Sequence, residues 1–231
     1  MEIIQKSDPW LNAEPTHESP YWPFRKVQAQ DTLAGAEQIP WILCNYLMDL
    51  PDGTGYEPRD DNRLPRTRLK KLIYWDDPLP LSKPLPTTEQ MRSILYDPRF
   101  PANPPDQTRG YRIFPQNMVG QAQHTAQTLL RVYMARASTL PSKAEFITRQ
   151  VLIFDVISNY GLETNTGMTA ASRTYDIVQC IKEACCGVNF GGVGPLTMQD
   201  LTHIDDERTN IGYKLYCYID FASSAPNPFF T

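Results

Sequence analysis

The chain has 231 residues, 41% of them apolar, which supports one domain of ordinary size with a single core and extensions. Its net charge of −4 argues against a general nucleic-acid binder with a basic surface. Five cysteines (44, 180, 185, 186 and 217), an odd number without C-x-x-C spacing, argue against a secreted disulfide scaffold. The start, MEIIQKSDPW, turns polar at once and is no signal peptide, and no apolar run approaches a membrane span. The expected compartment is therefore reducing cytoplasm, or a particle assembled there. Proline is the outlier, with 21 residues, roughly twice the usual share. Seventeen of them lie between Pro9 and Pro115. The first half is thus rich in enforced turns and extended segments, and the second is free to build regular structure.

Residues 1–37 combine Trp10, Tyr21, Trp22 and Phe24 with Pro9, Pro15, Pro20 and Pro23. The stretch is too Pro-broken for a helix and too aromatic for an ordinary disordered tail. It reads as an extended arm whose aromatics dock in pockets of this subunit or a neighbour. Residues 38–109 form a Pro-rich region with two short helices and a basic loop. The first helix is QIPWILCNYLMDL, residues 38–50, where Ile39, Leu43, Tyr46, Leu47 and Leu50 recur at helical spacing and Pro40 suits the first turn. The loop that follows carries Arg59, Arg63, Arg66, Arg68, Lys70 and Lys71 against Asp60 and Asp61. Arg66, Arg68, Lys70 and Lys71 are its candidates for touching DNA or an acidic partner; a solvated loop explains the same charges. KLIYW, residues 71–75, reads as a short strand. Thr87 and Gln90 form a capping box that opens the second helix, with Met91, Ile94 and Leu95 on its apolar side.

Residues 110–222 read as the core domain, and residues 223–231 as a C-terminal tail. GYRIFP (110–115) is a short strand. From Thr128 to Ala137, Leu130, Val132 and Met134 alternate with Arg131, Tyr133 and Ala135, the pattern of a half-buried strand. TRQVLIFDVISN, residues 148–159, is largely apolar on both faces and reads as a central strand covered on both sides. The short link between these two predicts antiparallel neighbours. Ser172 to Cys186 is a helix with Ile177, Ile181 and Ala184 on one stripe, capped by Ser172 and ended by Gly187. Leu196–His203 is a weaker strand, and GYKLYCYIDFA, residues 212–222, a strong one. The tail ends in Phe229 and Phe230, a second aromatic, Pro-punctuated arm.

Catalytic patterns are scarce. No H-E-x-x-H, G-x-S-x-G or phosphate-binding glycine pattern occurs, and the Gly-rich stretch 187–195 follows a helix rather than joining strand to helix. His203 with Asp205, Asp206 and Glu207 has metal-binding residue types but reads as an acidic turn. Asp155, inside the central strand, is costly there unless paired. Asp220 is the one candidate partner for a nuclease-type metal pair, and no second carboxylate and Lys follow at suitable spacing; an Arg partner or a subunit interface explains Asp155 better.

The order of these strings resembles the neck proteins of tailed bacteriophages, the head–tail connector, head-closure and tail-terminator group. RIFP (112–115) is followed by a strand with LLRVYMA (129–135), a strand with FDVISN (154–159), and a helix from SRTYDIVQCI (172–181). GYKLYCYIDF (212–221) closes the series. Arg173 and Ile177 match that group's helix, and Gly212, Tyr213 and Leu215 its closing strand. The resemblance covers about residues 70–222. It implies a small α+β subunit; together with the readings above, the expected fold is α+β, a mainly antiparallel sheet with a helix packed on one face, extended by a long Pro-rich N-terminal arm and a short C-terminal arm that lie outside the resemblance. It further implies a structural, non-enzymatic subunit of the virion neck, assembled in the host cytoplasm without cofactor, metal or membrane. Such subunits form homo-oligomeric rings, here expected at about six or twelve copies. The ring would sit between portal or connector and tail proteins and pass DNA without sequence-specific binding. The expected intersubunit contacts are Trp10, Tyr21, Trp22, Phe24, Phe229 and Phe230. The competing expectations are a metal-dependent nuclease-like enzyme using Asp155 and Asp220, and a monomeric adaptor.

Overall fold

The computed structural model describes residues 39–48, 60–96, 110–116, 127–139, 147–163, 172–188, 190, 195–206 and 210–222. The aromatic residues of both arms, Trp10, Tyr21, Trp22, Phe24, Phe229 and Phe230, lie outside these residues, as do Leu50 and most of the Gly-rich stretch.

Five strands form one sheet: β1 (Ile113–Phe114), β2 (Thr128–Thr139), β3 (Ile147–Asn159), β4 (Thr197–Asp206) and β5 (Asn210–Ala222), in the order β1-β2-β3-β5-β4. The β1–β2 pair is parallel and the others antiparallel. β2 and β3 are antiparallel neighbours as their short link predicts, and β3 is central. The α+β class expected from the sequence is the one observed.

Alternation along the strands sorts the two faces. Leu130, Val132, Leu152, Phe154, Val156, Leu215, Cys217 and Ile219 face a common core. Onto it pack α1 (Ile39–Met48), α2 (Pro65–Tyr74), α3 (Thr88–Ile94) and α4 (Arg173–Cys185). Helix α1 is buried almost all round, as befits an apolar helix enclosed between layers. Leu43 and Leu47 of α1 and Leu69 and Leu72 of α2 share one cluster with Leu152 and Phe154 of β3. The helices of residues 38–109 and the strands of residues 110–222 therefore build a single core.

The helix ends follow local chemistry. Thr87 Oγ1 accepts from the Gln90 amide at 3.2 Å while Gln90 Oε1 accepts from the Thr87 amide at 2.8 Å, completing the capping box of α3. Ser172 caps α4 through the Tyr175 amide, and Gly187 follows its C-terminus at φ 88°. Gly212 answers a different need. A Cβ at this position would fall 2.1 Å from the Val156 carbonyl oxygen, so the closing strand approaches β3 closely there.

Two expectations are corrected. KLIYW is not a strand: Lys71–Tyr74 complete α2, which starts with Pro65 in its first turn. Leu69, Leu72 and Ile73, all fully buried, supply the helical spacing that a reading of the short apolar run alone overlooks. The same helix carries Arg66, Arg68, Lys70 and Lys71, so those cations sit on a helix rather than in a loop. For β3, the second correction concerns what covers it. Helices pack on one face only among the described residues. On the other, Val151, Ile153 and Asp155 are buried amid half-buried Arg131, Tyr133, Lys214, Tyr216 and Tyr218 from the neighbouring strands.

Candidate functional site

The face of the sheet away from the helices is centred on Asp155, whose cross-strand partners are Arg131 on β2 and Lys214 on β5. Asp155 is 1% exposed. Its Oδ2 accepts from Arg131 Nη2 at 2.8 Å and from the Tyr133 hydroxyl at 3.1 Å. Lys214 Nζ lies 3.8 Å from Oδ1, which has no hydrogen-bond partner. Burial, then the charge of Asp155, push the Tyr133 phenol up to about 12, so it is a neutral donor and no base at neutral pH. Asp155 is thus paired with Arg131, the Arg partner among the readings its sequence context allows.

Asp155 and Asp220 are not brought together. Asp220 pairs with Arg149, whose Nε and Nη2 donate to its two oxygens at 2.8 Å each. The Arg149 guanidinium also stacks 4.1 Å over Tyr218. In the β3–β5 register Asp155 faces Lys214 while Asp220 faces Arg149, six positions away, or about 20 Å along the strand. The metal pair of the nuclease expectation is not assembled. Among the described residues no group of three or more His, Cys, Asp or Glu could hold a metal. His203 packs edge-on against Tyr213, with ring centroids 5.2 Å apart.

The cations of α2 are engaged within the fold. Arg68 pairs with Glu183 of α4. Lys71 Nζ lies 2.6 Å from Asp60 and donates to the Leu81 carbonyl at 3.3 Å. The Arg66 guanidinium lies 4.6 Å over the Tyr46 ring and donates to the Tyr46 carbonyl. Lys70 is buried. Arg63, just before the helix, has a fully displayed side chain, 94% exposed.

Sequence reasoning missed what two other arginines do. Among the described residues Arg112 and Arg173 are the largest fully buried side chains. Both converge on the C-terminal end of α2, where a helix leaves carbonyls without intrahelical partners. Arg173 Nη1 donates to the carbonyls of Leu72 at 3.0 Å and Trp75 at 2.8 Å, Nη2 to that of Asp77, and Nε to that of Leu162 at 2.9 Å. Arg112 Nη1 donates to the Ile73 carbonyl at 2.8 Å and the Tyr74 carbonyl at 3.2 Å, and its fork holds the Asp76 carboxylate. Two cations at the negative end of the α2 dipole also suit its field. The only signal in the sequence is indirect: these are the arginines of the RIFP string and of the α4 start.

The described residues thus define an α+β protein with one antiparallel-dominated sheet, a helical layer clamped by buried arginines, and an opposite face of paired charges. Residues 67–219 match the YomW family model. The chain therefore belongs to the YomW family, a phage-derived family, and is a phage-associated protein. No curated protein matches it.

Proposed function

We propose that this protein is a non-enzymatic structural subunit of a phage virion neck, forming a ring at the head–tail junction through which DNA passes. The observation that carries the reading is the role of the residues by which the chain resembles neck proteins. Arg112 and Arg173 hold the end of α2, and Gly212 permits the close β3–β5 approach. The resemblance therefore falls on positions that determine this fold, and the phage-derived family supplies a consistent setting. The charged groups of the open sheet face are spent on one another, an arrangement suited to a scaffold. The aromatic arms, Trp10, Tyr21, Trp22 and Phe24 at one end and Phe229 and Phe230 at the other, would clasp neighbouring copies. Pre-shaped Pro-rich segments lose less conformational entropy on docking, which favours permanent assembly.

The test is the mass of the full-length protein in solution by light scattering, alone and after deletion of residues 1–32. The expected result is a ring-sized oligomer that collapses without the arm. A monomer in both forms that also stays monomeric with the portal or tail-tube protein of the same phage would overturn the reading in favour of a soluble adaptor.

A further inference from the structure

Of the five cysteines, Cys44, Cys180, Cys185 and Cys217 are buried and Cys186 is half-buried. Cys186 is the residue that caps α4, with its amide donating to the Lys182 carbonyl and its backbone already extended. The chain after it zips onto the start of β4. The Gly187 amide donates to the Leu196 carbonyl at 2.9 Å, and the Leu196 amide to the Val188 carbonyl at 2.9 Å. This zipper brings Cys186 beside Met198, whose amide donates to its sulfur. Met198 in turn is the cross-strand partner of Cys217, which points from β5 toward the helical layer. The Cys217 thiol lies in the same core against which Cys186 packs, and it donates a hydrogen bond to the Cys186 sulfur.

We propose that Cys186 and Cys217 are a disulfide-forming pair, open in a reducing environment and closed by a low-molecular-weight disulfide, which tethers the C-terminal end of α4 to β5. The roles within the pair are unequal. Cys186 is half-buried at the helix end and within reach of a solution disulfide, whereas Cys217 is buried in the core; the Cys217 thiol donating to its sulfur, the Met198 amide and Lys182 also lower the Cys186 pKa against the opposing effect of burial. Cys186 is therefore the attacking thiolate. Its sulfur bonds to one sulfur of oxidised glutathione, breaking the S–S bond and releasing one glutathione thiolate. That thiolate takes the Cys217 proton, and the Cys217 sulfur then displaces the second glutathione from Cys186. Two protein thiols are oxidised and one glutathione disulfide is reduced to two thiols. The bond would close a loop of about thirty residues spanning β4, which constrains the unfolded chain. The timing of closure rests on the proposed virion role: the pair stays open during assembly in the host and closes after release into oxidising surroundings. The chemistry itself does not depend on that role.

The experiment uses the full-length, fully reduced protein incubated with oxidised glutathione, followed by intact mass and peptide mapping under non-reducing conditions. Wild type and Cys185→Ser are expected to lose the mass of two hydrogens and to link the peptide holding Cys186 to that holding Cys217. Cys186→Ser, at a half-exposed position, is expected to stay folded by circular dichroism and to form no such link. A persistent glutathione adduct on Cys186 without the internal bond would overturn the proposal, as would an internal bond that survives Cys186→Ser. Neither result depends on the oligomer mass that tests the neck reading.

Discussion

At the scale of single residues, the fold spends its charges internally. Arg173 illustrates the consequence. Burial pushes its guanidinium pKa down, while Asp76, Glu163 and Asp77 oppose the shift, and an arginine so placed remains charged. It satisfies four carbonyls from two segments of chain that would otherwise be buried without donors. Arg173→Leu should therefore cost about 3 kcal/mol or more, the sum of several orphaned acceptors, read as a fall in the urea midpoint at constant slope. Arg173→Lys, with one compact charge in place of a planar fork, should recover less than half of that loss. A loss below about 1 kcal/mol for Arg173→Leu would mean that water replaces the guanidinium. The Asp155 centre makes a second claim at this scale. A double-mutant cycle between Arg131→Met and Asp155→Asn should give a coupling of about 1–3 kcal/mol, because the groups touch in a buried setting. The same cycle between Asp155→Asn and Asp220→Asn should be additive within about 0.5 kcal/mol. Coupling between the two aspartates would instead revive a shared metal and the nuclease reading.

At the scale of elements, α2 shows where sequence reasoning succeeds and where it stops. The strands β2 and β5 were legible from alternation, and α3 and α4 from caps, since these signals are local. Helix α2 was not, because its apolar stripe is three residues wide and ends in LIYW, a run that a strand would also use. What decides the matter is non-local: Arg112 and Arg173, 38 or more residues away in sequence, close its C-terminal carbonyls. For the same reason neither arginine shows its role until the chain is folded. The last turn of α2 is also tied to the segment that precedes the helix, through Lys71 and Asp60. The hydrogen bond from Lys71 is the main cause that lowers the Asp60 pKa, helped by the Leu85 amide and opposed by partial burial. A carboxyl whose pKa is lower when folded adds stability above its unfolded value, about pH 4, and loses it as pH falls through the folded value. Asp60 is half exposed, so screening keeps the contribution below about 1 kcal/mol. Thermal unfolding of Asp60→Asn should thus fall short of wild type at pH 6, and the two curves should converge in strong acid. A gap that persists unchanged in acid would assign the loss to packing rather than to the ion pair.

At the scale of the whole molecule, charge placement separates a DNA passage from a DNA clamp. The stretch 59–71 carries a formal charge of +4, leaving −8 for the rest of the chain. By sequence it is the natural place to seek phosphate contacts. Folding turns most of it inward: Arg68 to Glu183, Lys71 to Asp60, Arg66 onto Tyr46, and Lys70 into the core. A clamp would need those cations free, since each phosphate it neutralises releases counterions and steepens the salt dependence of binding. A channel needs the reverse, because DNA held by many such contacts would not slide. Fluorescence anisotropy of a labelled duplex should therefore show no retention by the full-length protein at about 0.15 M salt, and little change when salt is lowered several-fold. Arg68→Gln should leave that result untouched while lowering thermal stability, since its partner is Glu183 and not a phosphate. Binding that tightens steeply at low salt and weakens with Arg68→Gln would show that α2 opens to meet DNA. The internal pairs would then be a resting state, and the protein a clamp.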